Sequence, residues 1–134
     1  MNEKRRICVV SAAIAKEGAY LITQRSERAV LPLKWEFPGG KVEEGEYEEA
    51  ALTRELRERL GITPDVGALI STTVHEYDDY TVELKLYDCK VGPIAPRIGN
   101  VRDMRWVASH DFGKYEFTPA DQESMDRLLF GEKH

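Results

Sequence analysis

Glutamates crowd one short stretch of the chain. Eight glutamates and no aspartate lie from Glu36 to Glu58, against three basic residues, so this stretch carries a charge of −5. The whole chain of 134 residues also has a formal net charge of −5, so the excess negative charge is local. Converging carboxylates can bind a hard cation such as Mg²⁺, whereas carboxylates spread over a solvated surface make only weak ion pairs.

The end of this stretch has helical spacing. Glu55, Glu58 and Arg59 stand at i, i+3 and i+4, so on a helix they share one face. Leucines recur every four residues from Leu52 to Leu60 and predict a separate apolar stripe that faces a core. Helical spacing alone leaves both the metal site and the solvated face open.

A longer pattern of glycines, glutamates and one arginine surrounds these residues. In chain order the pattern is Gly40, five residues, Glu46, seven residues, Arg54-Glu55-Leu56, one residue, Glu58, and then Gly61-Ile62. This spacing closely resembles the Nudix box of the Nudix hydrolase family. Flanking segments resemble the small MutT-type nucleoside triphosphate pyrophosphohydrolases of that family, namely Gln24-Arg25, WEFPGGKVEEGE, Arg105-Trp106-Val107 and Pro119-Ala120-Asp121.

The resemblance implies a fold and an activity. The expected fold is an α/β class, Nudix-type α/β/α sandwich with a mixed β-sheet between helices. The expected activity is Mg²⁺-dependent cleavage of a nucleoside triphosphate, CTP-like, dCTP-like or oxidised dGTP, to the monophosphate and pyrophosphate. Mn²⁺ is a possible substitute for Mg²⁺. In such a reaction the metal neutralises the phosphates and holds them for in-line attack by water.

The resemblance also implies roles for five residues of the box. Glu55 and Glu58 match the metal-binding glutamates of the family, and the Gly40 carbonyl is a candidate metal ligand. Arg54 matches an arginine that orients a carboxylate, and Glu46 is its expected partner. We therefore take Glu55, Glu58, Arg54 and Glu46 as the catalytic group, with Gly40, Glu55 and Glu58 as the metal ligands.

Substrate binding is expected from residues outside the box. Arg25 either reaches a phosphate from the end of a strand or is a surface charge. Asp121 follows a Pro-Ala pair. In MutT-type relatives the residue at this position helps to recognise the base. An ionised Asp121 accepts hydrogen bonds and suits an amino group such as that of cytosine. A protonated Asp121 can instead donate a hydrogen bond to an oxidised purine. In the third interpretation Asp121 is only structural and interacts favourably with the dipole of the last helix. Phe37 is one of four aromatic candidates for stacking on the base, with Trp35, Tyr77 and Tyr80.

Two departures from the family pattern reduce the number of carboxylates. Arg59 stands where the box usually has a second glutamate, and Asn100 stands six residues before Trp106, where MutT-type relatives often have another. Either Arg59 contacts phosphate, or Glu83 or Asp103 supplies a replacement ligand or base. Two alternatives stay open: a nucleotide-binding module or sensor with weak or no turnover, and a hydrolase of another nucleoside diphosphate derivative such as ADP-ribose.

Strands and helices must position these residues. Apolar and β-branched runs predict strands at Ile7–Ala15, Ala19–Thr23, Ala68–His75, Tyr80–Val91 and Met104–Val107, with the first two joined in a hairpin at Gly18. Helices are predicted from near Tyr47 to Gly61 and from Thr118-Pro119 to Gly131. The segments 32–40 and 92–100 are expected to be irregular.

Length and composition set the remaining expectations. A chain of 134 residues that is 42% hydrophobic predicts one domain spanning residues 1–134. No apolar run is long enough for a membrane span, and the charged segment Met1–Arg6 does not look like a secretory leader, so a cytoplasmic location is expected. The acidic balance argues against duplex nucleic acid as a partner. Cys8 and Cys89 are expected to be reduced core residues, and either a monomer or a homodimer is compatible with the sequence.

Overall fold

The computed structural model describes residues 4–130. Within these residues, seven strands form one mixed sheet. The strands are β1 Arg5–Lys16, β2 Ala19–Gln24, β3 Trp35–Glu36, β4 Gly39–Lys41, β5 Pro64–Glu76, β6 Tyr80–Val91 and β7 Asp103–Ala108. The helices are α1 Glu48–Leu60, a 3₁₀ helix at Ser109–Lys114, and α2 Pro119–Phe130. Gly131, which was expected to end α2, and the first half of Met1–Arg6 lie outside the described residues.

The long strand β1 organises the sheet. It runs parallel to β6 from the pair Arg5–Tyr80 to the pair Ile14–Cys89. Its middle also pairs with β4 in the antiparallel direction, and its end continues into β2 through a tight hairpin. Strand β5 extends the sheet beyond β6, while β3 and β7 pair with β2. The glycine-rich strand β4 is thereby held against the centre of the sheet.

Helices cover both faces of this sheet. Val10, Ala12 and Ile14 of β1 pack with α1, whereas Ala13 belongs to the cluster that contains Met125 of α2. Successive side chains of a strand point to opposite faces, so α1 and α2 lie on opposite sides of the sheet. The predicted α/β/α sandwich with a mixed sheet is confirmed.

The apolar stripe of α1 anchors the helix that carries the box. Leu52, Leu56 and Leu60 are fully buried, as their four-residue spacing predicts. The helix begins after Tyr47 and ends at Gly61, whose φ of 65° is the left-handed conformation that glycine adopts most easily. The opposite side of α1 is therefore free to present charged residues to a site.

The C-terminal end of α1 is closed by the segment that precedes β7. The backbone N–H groups of Arg97, Gly99 and Asn100 donate hydrogen bonds to the carbonyl oxygens of Leu60, Arg59 and Glu58, at N–O distances of 2.9, 2.8 and 3.2 Å. The last carbonyls of a helix have no partner within the helix, so this segment satisfies groups that would otherwise need water. It also brings Asn100 close to the residues of the box.

Two expectations about the strands are corrected. Segment 32–40 was expected to be irregular, but it contains β3 and the start of β4, which are only two and three residues long and too short to show an alternating pattern. The strand expected at Ala68–His75 begins earlier, at Pro64. Irregularities between Val66 and Leu69 and between Leu69 and Ser71 shift the pairing with β6 and obscure the alternation of side chains.

Three smaller expectations have clear outcomes. The β1–β2 hairpin turns at Glu17 and Gly18, which both have positive φ, as the glycine predicted. Both cysteines are free, and Cys89 is buried, but Cys8 is only half-buried and is not a full core residue. In residues 4–130, no helix combines the length and the apolar character that crossing a membrane requires.

The burial of the leucine stripe predicts the effect of Leu56→Ala. Removing this fully buried side chain leaves a cavity between α1 and β1, so we expect the free energy of unfolding to fall by ~2–5 kcal/mol. Urea denaturation measures the change. The control is Arg57→Ala on the exposed side of the same helix, for which we expect a change within about 0.5 kcal/mol. Equal midpoints for the two variants would contradict the assigned helix faces.

Candidate active site

The glycine pair of β4 lets the backbone come very close to α1. A Cβ atom built on Gly40 would lie 2.2 Å from the carboxylate carbon of Glu55, and one built on Gly39 would lie 1.9 Å from the carbonyl oxygen of Val10. At Gly39 the clash is with backbone, so glycine is required there, whereas a side chain at position 40 would push the Glu55 carboxylate out of its place. The Glu55 carboxylate therefore lies directly against the bare backbone of β4.

Arg54 holds Glu55 from one side. Its Nη1 donates to Oε1 of Glu55 at 2.9 Å, and its Nε and Nη2 donate to the two carboxylate oxygens of Glu46, each at 2.9 Å. Nη2 also donates to the carbonyl oxygen of Lys41 at 3.0 Å. These bonds lower the pKa of Glu46 to about 2, mainly through the hydrogen bond from Arg54. The predicted Glu46–Arg54 pair is thus formed, and it orients Glu55.

Arg59 holds Glu55 from the other side. Its Nε donates to Oε2 of Glu55 at 2.8 Å, and its Nη1 lies 3.9 Å from Oε2 of Glu36. The side chain of Arg59 therefore points into the site and does not extend along the surface. Both carboxylate oxygens of Glu55 accept a hydrogen bond from an arginine.

Glu36 extends the same set of contacts to Arg25. Nη1 of Arg25 donates to Oε1 of Glu36 at 3.0 Å, and its Nε donates to the carbonyl oxygen of Val30 at 2.7 Å. Burial raises the pKa of Glu36 against the opposing effect of the two arginines. Arg25 is half-buried and paired, so it is not the isolated surface charge that the sequence left open.

Six charged side chains thus alternate in sign along one path, which we call the arginine–glutamate chain. Its members in spatial order are Arg25, Glu36, Arg59, Glu55, Arg54 and Glu46. All of them except Glu36 have roles predicted from the sequence. The signal for Glu36 was weak, because it was a single charged residue in the apolar run before Pro38.

The oxygen donors near Glu55 are of the type that a hard divalent cation prefers. They are the carboxylates of Glu55 and Glu58 and the backbone of Gly40, and Oε2 of Glu58 lies 3.9 Å from Nη1 of Arg54. In the described part of the chain, no three acidic, histidine or cysteine side chains converge as a ready metal site. A cation at Glu55 must therefore compete with Arg54 and Arg59 for the same oxygens.

Neither proposed replacement for the missing carboxylates reaches this place. Glu83 pairs with Arg6 at 2.6 Å, and Asp103 pairs with Arg105 at 3.1 Å. Among residues 4–130, neither Glu83 nor Asp103 pairs with the arginines that hold Glu55. The structure brings Arg59 to the site instead.

A cavity of about 530 Å³ opens beside the arginine–glutamate chain. Its walls include Arg25, Glu36, Gly40, Glu55 and Arg59, together with apolar side chains of β1 and β6. Such a volume is in the range of small-molecule sites. The charged groups and the apolar wall together suit a ligand that has both an anionic part and a ring.

Asp121 is a buried member of the same cavity wall. Its carboxylate accepts hydrogen bonds from the backbone N–H of Phe37, at 3.0 Å, and from the hydroxyl of Thr118. The hydroxyl oxygen of Thr118 in turn accepts a hydrogen bond from the backbone N–H of Asp121 at 3.2 Å. Burial, reinforced by the nearby charge of Glu36, raises the pKa of Asp121 to about 7. Thr118 begins α2 as its predicted N-cap, and Asp121 contributes to this cap as well as to the cavity.

The four aromatic candidates separate into two groups. Tyr77 and Tyr80 stack with ring centroids 5.0 Å apart, and both line the cavity. Trp35 packs edge-on against Tyr115. Phe37 touches the cavity, but its side chain is 1% exposed and packs within the core below α2. Its backbone N–H, which holds Asp121, is its clearest contribution to the site.

Comparison with known proteins identifies the family of this site. The family model described as "NUDIX domain" matches residues 9–127, which is most of the chain. The chain belongs to this family. The predicted membership is confirmed, and the chain is a Nudix hydrolase.

Individual relatives cover almost the whole length of this Nudix hydrolase. It is 32% identical over 125 residues to a CTP pyrophosphohydrolase of Escherichia coli, with 93% of both chains covered. It is 34% identical over 130 residues to an 8-oxo-dGTP diphosphatase of Haemophilus influenzae, covering 95% of this chain and 94% of the relative. The crystal structure of a MutT protein from Methanosarcina mazei superposes with a TM-score of 0.82 at 28% identity, covering 97% of this chain and 99% of that one.

The raised pKa of Asp121 predicts a pH dependence of stability. Folded Asp121 keeps its proton up to about pH 7, whereas the unfolded residue loses it near its ordinary value of 3.8. The folded state therefore binds more protons between these values, and the free energy of unfolding falls as the pH rises through them. We expect Asp121→Asn, a neutral side chain of the same shape, to reduce this slope in urea denaturation.

The matched control for that experiment is Asp126→Asn. Asp126 lies on the same helix, is half-exposed and accepts from Gln122 at 3.3 Å. We expect it to leave the slope unchanged. A slope that is the same in the wild type and in Asp121→Asn would show that Asp121 is not protonated in the folded state.

Proposed function

We propose that this Nudix hydrolase cleaves a nucleoside triphosphate to the monophosphate and pyrophosphate with Mg²⁺, for which Mn²⁺ can substitute. The observation that carries the proposal is the Glu55 carboxylate, held between Arg54 and Arg59 against Gly40 at the wall of a nucleotide-sized cavity. The names of the relatives, a CTP pyrophosphohydrolase and 8-oxo-dGTP diphosphatases, support the substrate class.

The residues that would hold the metal are Glu55, Glu58 and the carbonyl of Gly40. Bound there, a divalent cation would neutralise phosphate charge and activate water for attack at phosphorus. The Arg54–Glu46 pair keeps Glu55 in place for this role. Arg25 and Arg59 carry guanidinium groups at the same wall, where they can bind phosphate oxygens in the bidentate manner typical of arginine.

The nucleobase is proposed to lie among Tyr77, Tyr80 and Asp121. The stacked tyrosine pair provides an apolar and aromatic wall, and Asp121 provides the polar contact. With a pKa of about 7, Asp121 can accept a hydrogen bond from an amino group when ionised and donate one when protonated. CTP or dCTP and oxidised dGTP are therefore both candidate substrates, in agreement with the two classes of relatives.

A screen for products separates the proposal from its alternatives. The substrates are the nucleoside triphosphates, oxidised dGTP and ADP-ribose, each tested with Mg²⁺ for release of pyrophosphate, phosphate or monophosphate. Pyrophosphate from a triphosphate supports the proposal. Nucleotide binding without any release would support a sensor, and cleavage of ADP-ribose alone would support the other hydrolase class. A cytoplasmic location, a single domain and a monomeric or homodimeric state stay predictions.

Glu58→Gln tests the proposed metal ligands. The side chain is exposed, so its exchange should leave the fold intact, but loss of one strong electrostatic contributor should lower turnover by ~10²-fold or more. Turnover with Mg²⁺ is the measurement, and Glu49→Gln, an exposed glutamate in the first turn of the same helix, is the control. Near-normal turnover in Glu58→Gln would mean that Glu58 does not bind the metal.

Arg59→Glu tests the consequence of a cation inside the site. Arg59 satisfies one oxygen of Glu55, so it lowers the negative charge available to Mg²⁺. Replacing it with glutamate should tighten Mg²⁺ binding, so that the rate reaches half of its maximum at a lower Mg²⁺ concentration, while loss of the guanidinium contact to phosphate should raise the KM for the nucleotide. The rate is measured as a function of Mg²⁺ concentration, with Arg57→Glu on the exposed side of α1 as the control of equal charge change. An unchanged Mg²⁺ dependence in Arg59→Glu would contradict this role.

A further inference from the structure

A second cavity, of about 410 Å³, lies next to the first. We call it the arginine cavity. Its walls are the segment after β2, from Ser26 to Ala29, the segment before β7, from Gly99 to Arg102, and the end of α1 at Arg59. The box and its expected ligands do not account for this cavity.

The lining of the arginine cavity is strongly basic. It contains four arginines, Arg25, Arg28, Arg59 and Arg102, and one acidic residue, Glu27. Arg25 and Arg59 hold Glu36 and Glu55 as described above. Within residues 4–130, neither Arg28 nor Arg102 has a carboxylate within ion-pair distance. In a protein with a net charge of −5, this concentration of positive charge is a local exception.

The wall of the arginine cavity that precedes β7 is held in place by backbone hydrogen bonds. The N–H of Arg102 donates to the carbonyl oxygen of Gln24 at 3.0 Å, which ties one wall to the end of β2. The N–H groups of Gly99 and Asn100 close the end of α1, which ties the same wall to Arg59. The backbone of this wall is therefore ordered before a ligand binds, whereas the exposed side chains of Arg28 and Arg102 lose conformational freedom on binding.

We propose that the arginine cavity binds the β- and γ-phosphates of the nucleoside triphosphate, the part that leaves as pyrophosphate. Guanidinium groups bind phosphate oxygens in pairs of hydrogen bonds, and several of them in one cleft attract a polyanion more strongly than single surface charges. The proposal rests on the proposed function, which supplies the triphosphate.

Two shared residues connect this ligand to the first cavity. Arg25 and Arg59 line both cavities, so one molecule can place its nucleoside in the first and its terminal phosphates in the second. Arg59 and Asn100 also stand where the family resemblance led us to expect carboxylates. At this end of the site, arginine side chains therefore provide positive charge. Cations bound to carboxylates would otherwise have to provide it.

The experiment measures binding of inorganic pyrophosphate by titration calorimetry in EDTA, using the full chain and the double variant Arg28→Gln/Arg102→Gln. Removing two guanidinium groups should weaken binding about tenfold or more, the change expected when a hydrogen bond to a charged group is lost. Both residues are exposed, so thermal denaturation should show an unchanged midpoint.

The control variant is Arg5→Gln/Arg57→Gln, which removes the same charge from exposed positions outside both cavities. It should bind pyrophosphate about as well as the wild type. Equal weakening in the two double variants would mean that only the overall charge acts. Unchanged affinity in Arg28→Gln/Arg102→Gln would mean that the cavity does not hold pyrophosphate. Either result would overturn the proposal.

A competition experiment identifies the source of the phosphates. A nucleoside triphosphate analogue with a non-hydrolysable α,β-bridge should displace pyrophosphate if its own terminal phosphates occupy the arginine cavity. Simultaneous binding of both would assign the cavity to a separate anion and overturn the assignment to the substrate. The titrations need no turnover, so failure of the proposed hydrolysis in the product screen is distinguishable from failure of this inference.

Discussion

The position of one buried carboxylate determines much of this structure. Glu55 is 8% exposed, and a carboxylate removed from water to this extent is costly unless charged partners surround it. Arg54 and Arg59 supply those partners, and they in turn contact Glu46 and Glu36. The alternation of charge from Arg25 to Glu46 therefore follows from burying Glu55 beside Gly40. Each member offsets the desolvation of its neighbours, and removing one leaves the next exposed to that cost.

The fold supplies the distances that this arrangement needs. Strand β4 is short, but its pairing with β1 fixes Gly40, and the leucine stripe fixes α1 at the same sheet. The segment that closes the end of α1 then completes the wall beside Arg59. The same hydrogen bonds that satisfy the last carbonyls of the helix thus shape the arginine cavity. One set of backbone hydrogen bonds therefore both caps the helix and forms the wall of the proposed ligand site.

The sequence predicted the features that depend on local periodicity. The leucine spacing located α1 and its buried face, and Gly18 located the first hairpin. Glu36 was missed because its partners Arg25 and Arg59 lie in other parts of the chain, and the packing of α1 against β4, which follows β3, brings Arg59 to it. The sequence did not decide whether the side chain of Arg59 points into the site or along the surface, because spacing on a helix does not show which residues of other elements pack beside it. Arg28 and Arg102 come from two distant loops, so no local pattern could place them in one cavity.

The charge of −5 that first marks the glutamate-rich stretch is not the charge of the site. Arg25 and Arg59 lie outside that stretch in sequence, and with Arg54 they balance three of its glutamates in space. In the proposed function, a phosphate that took hydrogen bonds from Arg59 would leave an oxygen of Glu55 without its partner and would thereby favour a cation there. By thermodynamic linkage, Arg59 would bind phosphate more readily when Glu55 holds a cation. The arrangement is therefore better suited to receive a cation and a phosphate chain together than to hold a bare cation.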